Sequence, residues 1–225
     1  MILTDDDIKA AIKSGDISID PFDESQIQPA SIDLRVGDEG ATTKHKRKTN
    51  IRDQGLIVLE PGDFGVISIL EKVKFGPQYV GRLGLRSKFA RKGLIATTGP
   101  QIDPGFEGSI TLGLANLTPK SVPLSHSDDI LTLEIHRLQK PAAHPYCGPY
   151  QGKYGLSTED LDSIAEGDGM AFSEVLTTLR SLSSNVGDLS EKMTDLAGQM
   201  KTQQWMVPLI VTIALGVIAI IVALK

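Results

Sequence analysis

The sequence predicts an all-β barrel or sandwich that opens with a short helix and continues into a long coiled-coil helix and one transmembrane helix. Three observations carry this. Between residues 17 and 138 short apolar runs alternate with turns rich in Pro and Gly, the pattern of many closely spaced strands. From Phe172 to Met200 apolar residues recur at alternating spacings of three and four. Val207 to Leu224 is apolar apart from Thr212 and Gly216.

The elements follow in order. Thr4 can cap a helix whose first turn, Asp5-Asp6-Asp7, complements its positive end. Ile8, Ala11 and Ile12 form its apolar face and Gly15 stops it. Ile17 to Ile19 is a short strand ended by Pro21. Ile32, Leu34 and Val36 alternate with Asp33 and Arg35, which predicts a half-buried strand. Lys44 to Lys48 is a basic run, read as a solvated loop, with phosphate or lipid-headgroup contact as the lesser alternative. Further strands are predicted at Leu56–Leu59, Gly65–Val73, Tyr79–Leu85, Leu94–Thr98, Ser109–Leu114 and Ile130–Leu138.

Beyond Tyr154 the character of the chain changes. Residues 155–169 are polar and acidic and read as a linker with room for a short helix. Residues 170–204 carry the heptad seam: Leu179, Val186 and Met193 at a, and Leu182, Leu189 and Leu196 at d. Gly187 and Gly198 weaken it, each by up to about 1 kcal/mol. Residues 205–225 are expected to be a tail anchor. Trp205 stands at its start and 206–224 would rise about 28 Å as a helix, near the ~30 Å hydrocarbon core. The expected localisation is a membrane, single-pass and tail-anchored, with the N-terminal domain cytoplasmic and the lipid bilayer contacted through 206–224.

Composition narrows the function classes. A net charge of −5 offers no footprint for duplex nucleic acid, so no nucleic-acid partner is expected. The single cysteine, Cys147, excludes an intrachain disulfide framework, and the four histidines do not fall at metal-ligand spacing. The chemistry concentrates between Leu83 and Asn116. There Arg86-Ser87, Arg91 and Asp103 sit between apolar runs, so turns present two guanidiniums, a hydroxyl and a carboxylate. Arginine forks and hydroxyls suit phosphate, and a carboxylate beside them could deprotonate a water. Ordinary surface ion pairs are the competing reading of the same charges.

The order of those residues resembles a known pattern. R-S-x-x-A-R-x-G-L from Arg86, then I-D-P-G-F-E-G from Ile102, is similar to the dCTP deaminase and dUTPase superfamily, as is Q-P-A-S-I-D-L-R-V-G from Gln28. The resemblance runs from Met1 to about Tyr154. It implies a dUTPase-like β-barrel, or β-clip, over residues 1–154, assembled as a homotrimer with active sites shared between subunits. It implies a pyrimidine deoxynucleoside triphosphate as ligand, with Mg²⁺ held by the triphosphate and no metal ligand directly from the protein. Arg86 and Ser87 would contact phosphates, and Arg91 would stand near the reacting base. Thr98 and Gly99 would read the pyrimidine edge. Asp103 would hold the sugar 3′-hydroxyl and position the attacking water, and Phe106 would pack on the sugar. Tyr146, Tyr150, Gln151 and Lys153 would lie beside the triphosphate in a tail that closes over it.

One departure redirects the expectation. dCTP deaminases carry a glutamate as general base ten residues after the I-D-P-G aspartate, and here that position is Gly113. Losing a general base typically costs roughly 10²–10⁴-fold. Thr132 also stands in place of a fourth-motif glutamine of dUTPases, and Pro149 and Lys153 depart from the tail pattern. The leading expectation is therefore an enzyme that converts dUTP to dUMP and pyrophosphate, with Asp103 and Arg91 as its catalytic residues. A catalytically reduced pyrimidine-deoxynucleotide sensor coupled to a membrane effector is the alternative. A dCTP deaminase, releasing dUTP and ammonia, is the second alternative.

Overall fold

The computed structural model describes residues 1–97, 99–166 and 170–223, with side chains described at all of these except 163, 165–166, 170–177, 198–199, 201–205, 217, 219 and 222–223. It divides into two units, Met1–Glu174 and Val175–Lys225.

In the first unit Thr4 caps α1 (Asp5–Lys13) through a reciprocal box: its hydroxyl accepts from the Asp7 N–H, while its own N–H and hydroxyl donate to the Asp7 carboxylate. Those bonds, the hydroxyl's first, hold the Asp7 carboxyl below its ordinary range. Ile8 and Ala11 turn inward as their spacing predicts. β1 (Ile17–Asp20), β2 (Ile27–Gln28) and the long β3 (Ser31–Thr42) follow. Next come β4 (Thr49–Asn50), the one-turn helix α2 (Ile51–Gln54), β5 (Leu56–Leu59) and β6 (Phe64–Phe75). β7 (Tyr79–Leu85) leads through α3 (Ser87–Ala90) to β8 (Leu94–Ala96), β9 (Gln101–Ile102) and β10 (Glu107–Asn116). β11 (Val122–Ser125) and β12 (Asp129–Arg137) complete the strands.

Among the described residues ten strands form one sheet, along the path β8-β10-β6-β3-β12-β7-β9 with β1, β2 and β4 on its flanks, and β5 pairs with β11 separately. The sheet curls because β3 changes partners. Ile32–Arg35 pair with β12, whereas Gly40–Thr42 pair with β6. One core fills the curl, built on Ile32, Leu34, Ile67, Leu112, Leu114, Leu133 and Ile135, all 1% exposed or less.

The alternation of β3 holds for Ile32, Leu34 and Val36, but its other face is not the solvent face predicted for a half-buried strand. Asp33 is 2% exposed and Arg35 is half-buried. Each is paired: Asp33 with Arg86 and with the Thr132 hydroxyl (3.0 Å), Arg35 with buried Glu71 (2.6 Å). Partners replace the water that alternation assumes. The segment around Arg86, expected on a turn, closes one turn of helix as α3.

The acidic stretch after Tyr154 folds as α4 (Thr158–Glu166) and packs on the sheet through Ile164, Leu156 and Leu161 against Ala41, Val66 and Phe64. α5 (Met170–Ala223) is one long helix. Its seam residues Leu179, Leu182, Val186, Leu189, Met193, Leu196 and Met200 are all more than half exposed in the single chain.

The membrane expectation is overturned. Among the described residues no helix is long and apolar enough to cross a membrane. Residues 224–225 of the expected anchor lie outside the described residues. The transmembrane helix, the tail anchor and its orientation, and the bilayer contact through 206–224 fall with it.

The bend of β3 generates a stability prediction. A Cβ added at Gly37 would lie 2.7–2.8 Å from the Ser68 hydroxyl and the Ser68–Ile69 backbone. Gly37→Ala should lower unfolding stability by about 1–3 kcal/mol. Urea denaturation would show it as a lower midpoint with the slope retained.

Candidate functional site

A cavity of ≈ 600 Å³ opens between the β6–β10 and β7–β9 parts of the sheet. Its volume suits a small-molecule site. Phe64 and Val66 come from β6, Leu83 from β7, Ile102 from β9, and Ile110 from β10, so strand pleating supplies an apolar wall. Polar groups enter at the rim: Thr97, Gln101, Asp103, Ser109 and Thr111.

Asp103 stands on the turn between β9 and β10. The Phe106 N–H closes the turn on the Asp103 carbonyl at 3.1 Å. Gly105 has φ +85°, and a Cβ there would lie 2.5 Å from Pro145, so the turn admits glycine for both reasons. The Gln101 amide donates to an Asp103 carboxylate oxygen at 2.6 Å. That bond fixes the carboxylate's orientation at the rim. Phe106 meets Tyr146 edge-on, with ring centres 5.6 Å apart.

The segment 145–153 is strapped along this turn. Tyr146 N–H donates to Pro104 O (2.7 Å), Gly152 N–H to Glu107 O (2.8 Å) and Ser109 N–H to Lys153 O (2.9 Å). Gln151 clamps both sides: its amide donates to Gly105 O (3.1 Å) and its side-chain oxygen accepts from the Glu107 N–H (3.2 Å). Lys153 lies over the Tyr150 ring and pairs with Glu159 at 3.7 Å.

The structure thus brings Gly99, Asp103, Phe106, Tyr146 and Tyr150 to one cavity. Gln151 supports it from behind and Lys153 lies beside it. Arg86, Ser87 and Arg91 do not line it. Arg86 precedes α3 and its guanidinium is held by Asp33, while Ser87 and Arg91 are exposed at the two ends of α3. Thr98 lies outside the described residues. The sequence reading missed Phe64, Thr97, Gln101, Ser109, Thr111 and Asp160. Gln101 was reachable by strand alternation, since it shares a face with Asp103. Asp160 was not, because only the docking of α4 brings it there.

Gly113 is buried on the cavity wall. A Cβ on it would lie 2.3 Å from the Thr97 hydroxyl and 3.3 Å from the Phe64 ring. The Thr97 N–H meanwhile bonds the Gly113 carbonyl at 2.9 Å, which holds the Thr97 backbone beside that point. Asp103 and Asp160 are the carboxylates on the wall, and no group of three or more His, Cys, Asp or Glu among the described residues could hold a metal ion.

A family model described as dCTP deaminase-like matches residues 2–138. A dCTP deaminase of Thermococcus sibiricus is 36% identical over 156 residues, covering 69% of this chain and 95% of the relative. A dUMP-forming dCTP deaminase of Salinispora tropica is 36% identical over 176 residues, covering 69% and 92% respectively. Among solved structures, a 2′-deoxycytidine 5′-triphosphate deaminase from Agrobacterium tumefaciens shares the fold, with a TM-score of 0.53, 17% identity, and 60% of this chain and 48% of that one covered.

The Gln151 clamp is separable from the global fold. Gln151→Ala should speed amide exchange at 105–107 and 150–153 and lower global stability by only about 1 kcal/mol. Hydrogen exchange read by mass spectrometry checks both.

Proposed function

The chain belongs to the dCTP deaminase-like family, and on that premise we propose that it hydrolyses dUTP to dUMP and pyrophosphate. The observation that carries this reading is the wall at Gly113. A deaminase needs a proton acceptor against the cytosine ring. Here the Thr97 hydroxyl and the Phe64 ring occupy the space beside a residue with no side chain. Asp103, oriented by Gln101, keeps the carboxylate that hydrolysis requires.

Asp103 draws a proton from a water, whose oxygen forms a bond to the α-phosphorus. The bond from that phosphorus to the bridging oxygen breaks, and pyrophosphate leaves with the electron pair. Phe106 packs on the deoxyribose, and the backbone at Thr98 and Gly99 reads the pyrimidine edge. Mg²⁺ enters as the nucleotide's own complex, and no step is assigned to it. Tyr146, Tyr150 and Lys153 flank the triphosphate.

Among the described residues, those lining the cavity include no lysine or arginine. A tetraanionic triphosphate needs cations, so the chain works as a homotrimer in which a neighbouring copy presents Arg86, Ser87 and Arg91 to the cavity. The exposed seam of α5 supports self-association through 170–204.

Deamination of dCTP is the second reading, favoured by relatives that are 36% identical and named for it. The two separate in one assay of the full chain with dUTP, dCTP or dTTP. Pyrophosphate from dUTP without ammonia from dCTP is expected; ammonia from dCTP would reverse the assignment. Asp103→Asn should lower kcat by at least 10²-fold while a non-hydrolysable imido analogue of dUTP still binds. Unchanged turnover would sink the role of Asp103.

A further inference from the structure

The cavity is closed on one side by an element that opposes its proposed ligand. Asp160 of α4 lines the same cavity as Asp103, so among the described residues its lining includes two carboxylates and no lysine or arginine. The Asp160 carboxylate is held in place: the Ser157 N–H and hydroxyl both donate to it at 2.8 Å, and the Asp160 N–H returns a bond to that hydroxyl at 3.2 Å. One residue earlier, Glu159 takes Lys153, a cation that would otherwise be available to phosphate oxygens. Charge and pairing both act against an anion.

Packing makes this arrangement a defined state. Ile164 is 1% exposed and Leu156 8%, and the Leu156 N–H donates to Glu39 at 3.0 Å. Phe64 and Val66 contribute both to the cluster beneath α4 and to the cavity wall. The helix and the cavity therefore share side chains, and a change at one is felt at the other.

We infer that α4 is an autoinhibitory gate: docked, it holds Asp160 in the nucleotide cavity and Glu159 on Lys153, and triphosphate binding requires its release. Release removes one carboxylate from the wall and returns Lys153 to the phosphates. This rests on the nucleotide reading above.

The test uses the full chain and the imido analogue of dUTP, titrated calorimetrically. The double variant Glu159→Gln, Asp160→Asn removes charge and keeps the packing; Ile164→Glu loosens the helix by a different route. Both should bind the analogue about tenfold more tightly than the parent. Hydrogen exchange at 158–166 should rise when the analogue is added to the parent. Equal or weaker binding by the double variant, or protection of 158–166 by the analogue, overturns the gate and makes α4 a wall of the bound site. If parent and variants hydrolyse dUTP with the same affinity, the gate falls and the enzyme reading stands. If none binds the analogue and none turns over dUTP, both readings fail together.

Discussion

Arg35 and Glu71 hold the point on which the sheet turns. At Arg35 the strand β3 leaves β12; it pairs with β6 at Val36 and, after a register shift, again from Gly40. A strand that changes partners interrupts its ladder, and an N–H there needs another acceptor. Glu71 supplies it, accepting the Arg35 N–H at 2.8 Å and the guanidinium Nε at 2.6 Å. Glu71 is 2% exposed, and an unpaired carboxylate that deep would cost several kcal/mol. The pair is therefore needed as a pair. Gly37 allows the close approach of β6 just beyond it, and Asp33 anchors Arg86 just before it.

The site inherits its shape from that curl. Because β3 joins the two parts of the sheet, β6 and β10 face β7 and β9 across a gap, and side chains of one pleat line it. The turn carrying Asp103 spans the gap's edge. Gly105 and Phe106 exchange backbone bonds with Phe75 of β6 on one side, and the 145–153 strap with the Gln151 clamp holds the other. Precision at Asp103 thus depends on residues more than forty positions away.

Small side chains decide chemistry as much as charged ones do. At Gly113 a Cβ would crowd the Thr97 hydroxyl and the Phe64 ring, so the wall there carries no side chain of its own. Phe64 then reaches the other way, into the cluster under α4. A substitution in this corner is felt by the cavity and by the helix packed beside it.

The elements were legible in the sequence because their signals are local. The Thr4 cap, the alternation of Ile32, Leu34 and Val36, and the I-D-P-G turn with its glycine each rest on residues within a few positions of one another. The sequence predicted a coiled-coil helix over 170–204; the structure has one long helix there, with no partner packed on its exposed seam among the described residues. The apolar run after residue 206 predicted a membrane span, and among the described residues no helix is long and apolar enough to cross one. What only the tertiary structure decided is which residues share a cavity: Asp103 with Phe106 and Tyr146 but not Arg86 or Arg91, Thr97 beside Gly113, and Asp160 opposite them all. Those juxtapositions join segments distant in sequence. Strand register and the curl of the sheet set their distances, and no local pattern carries that information.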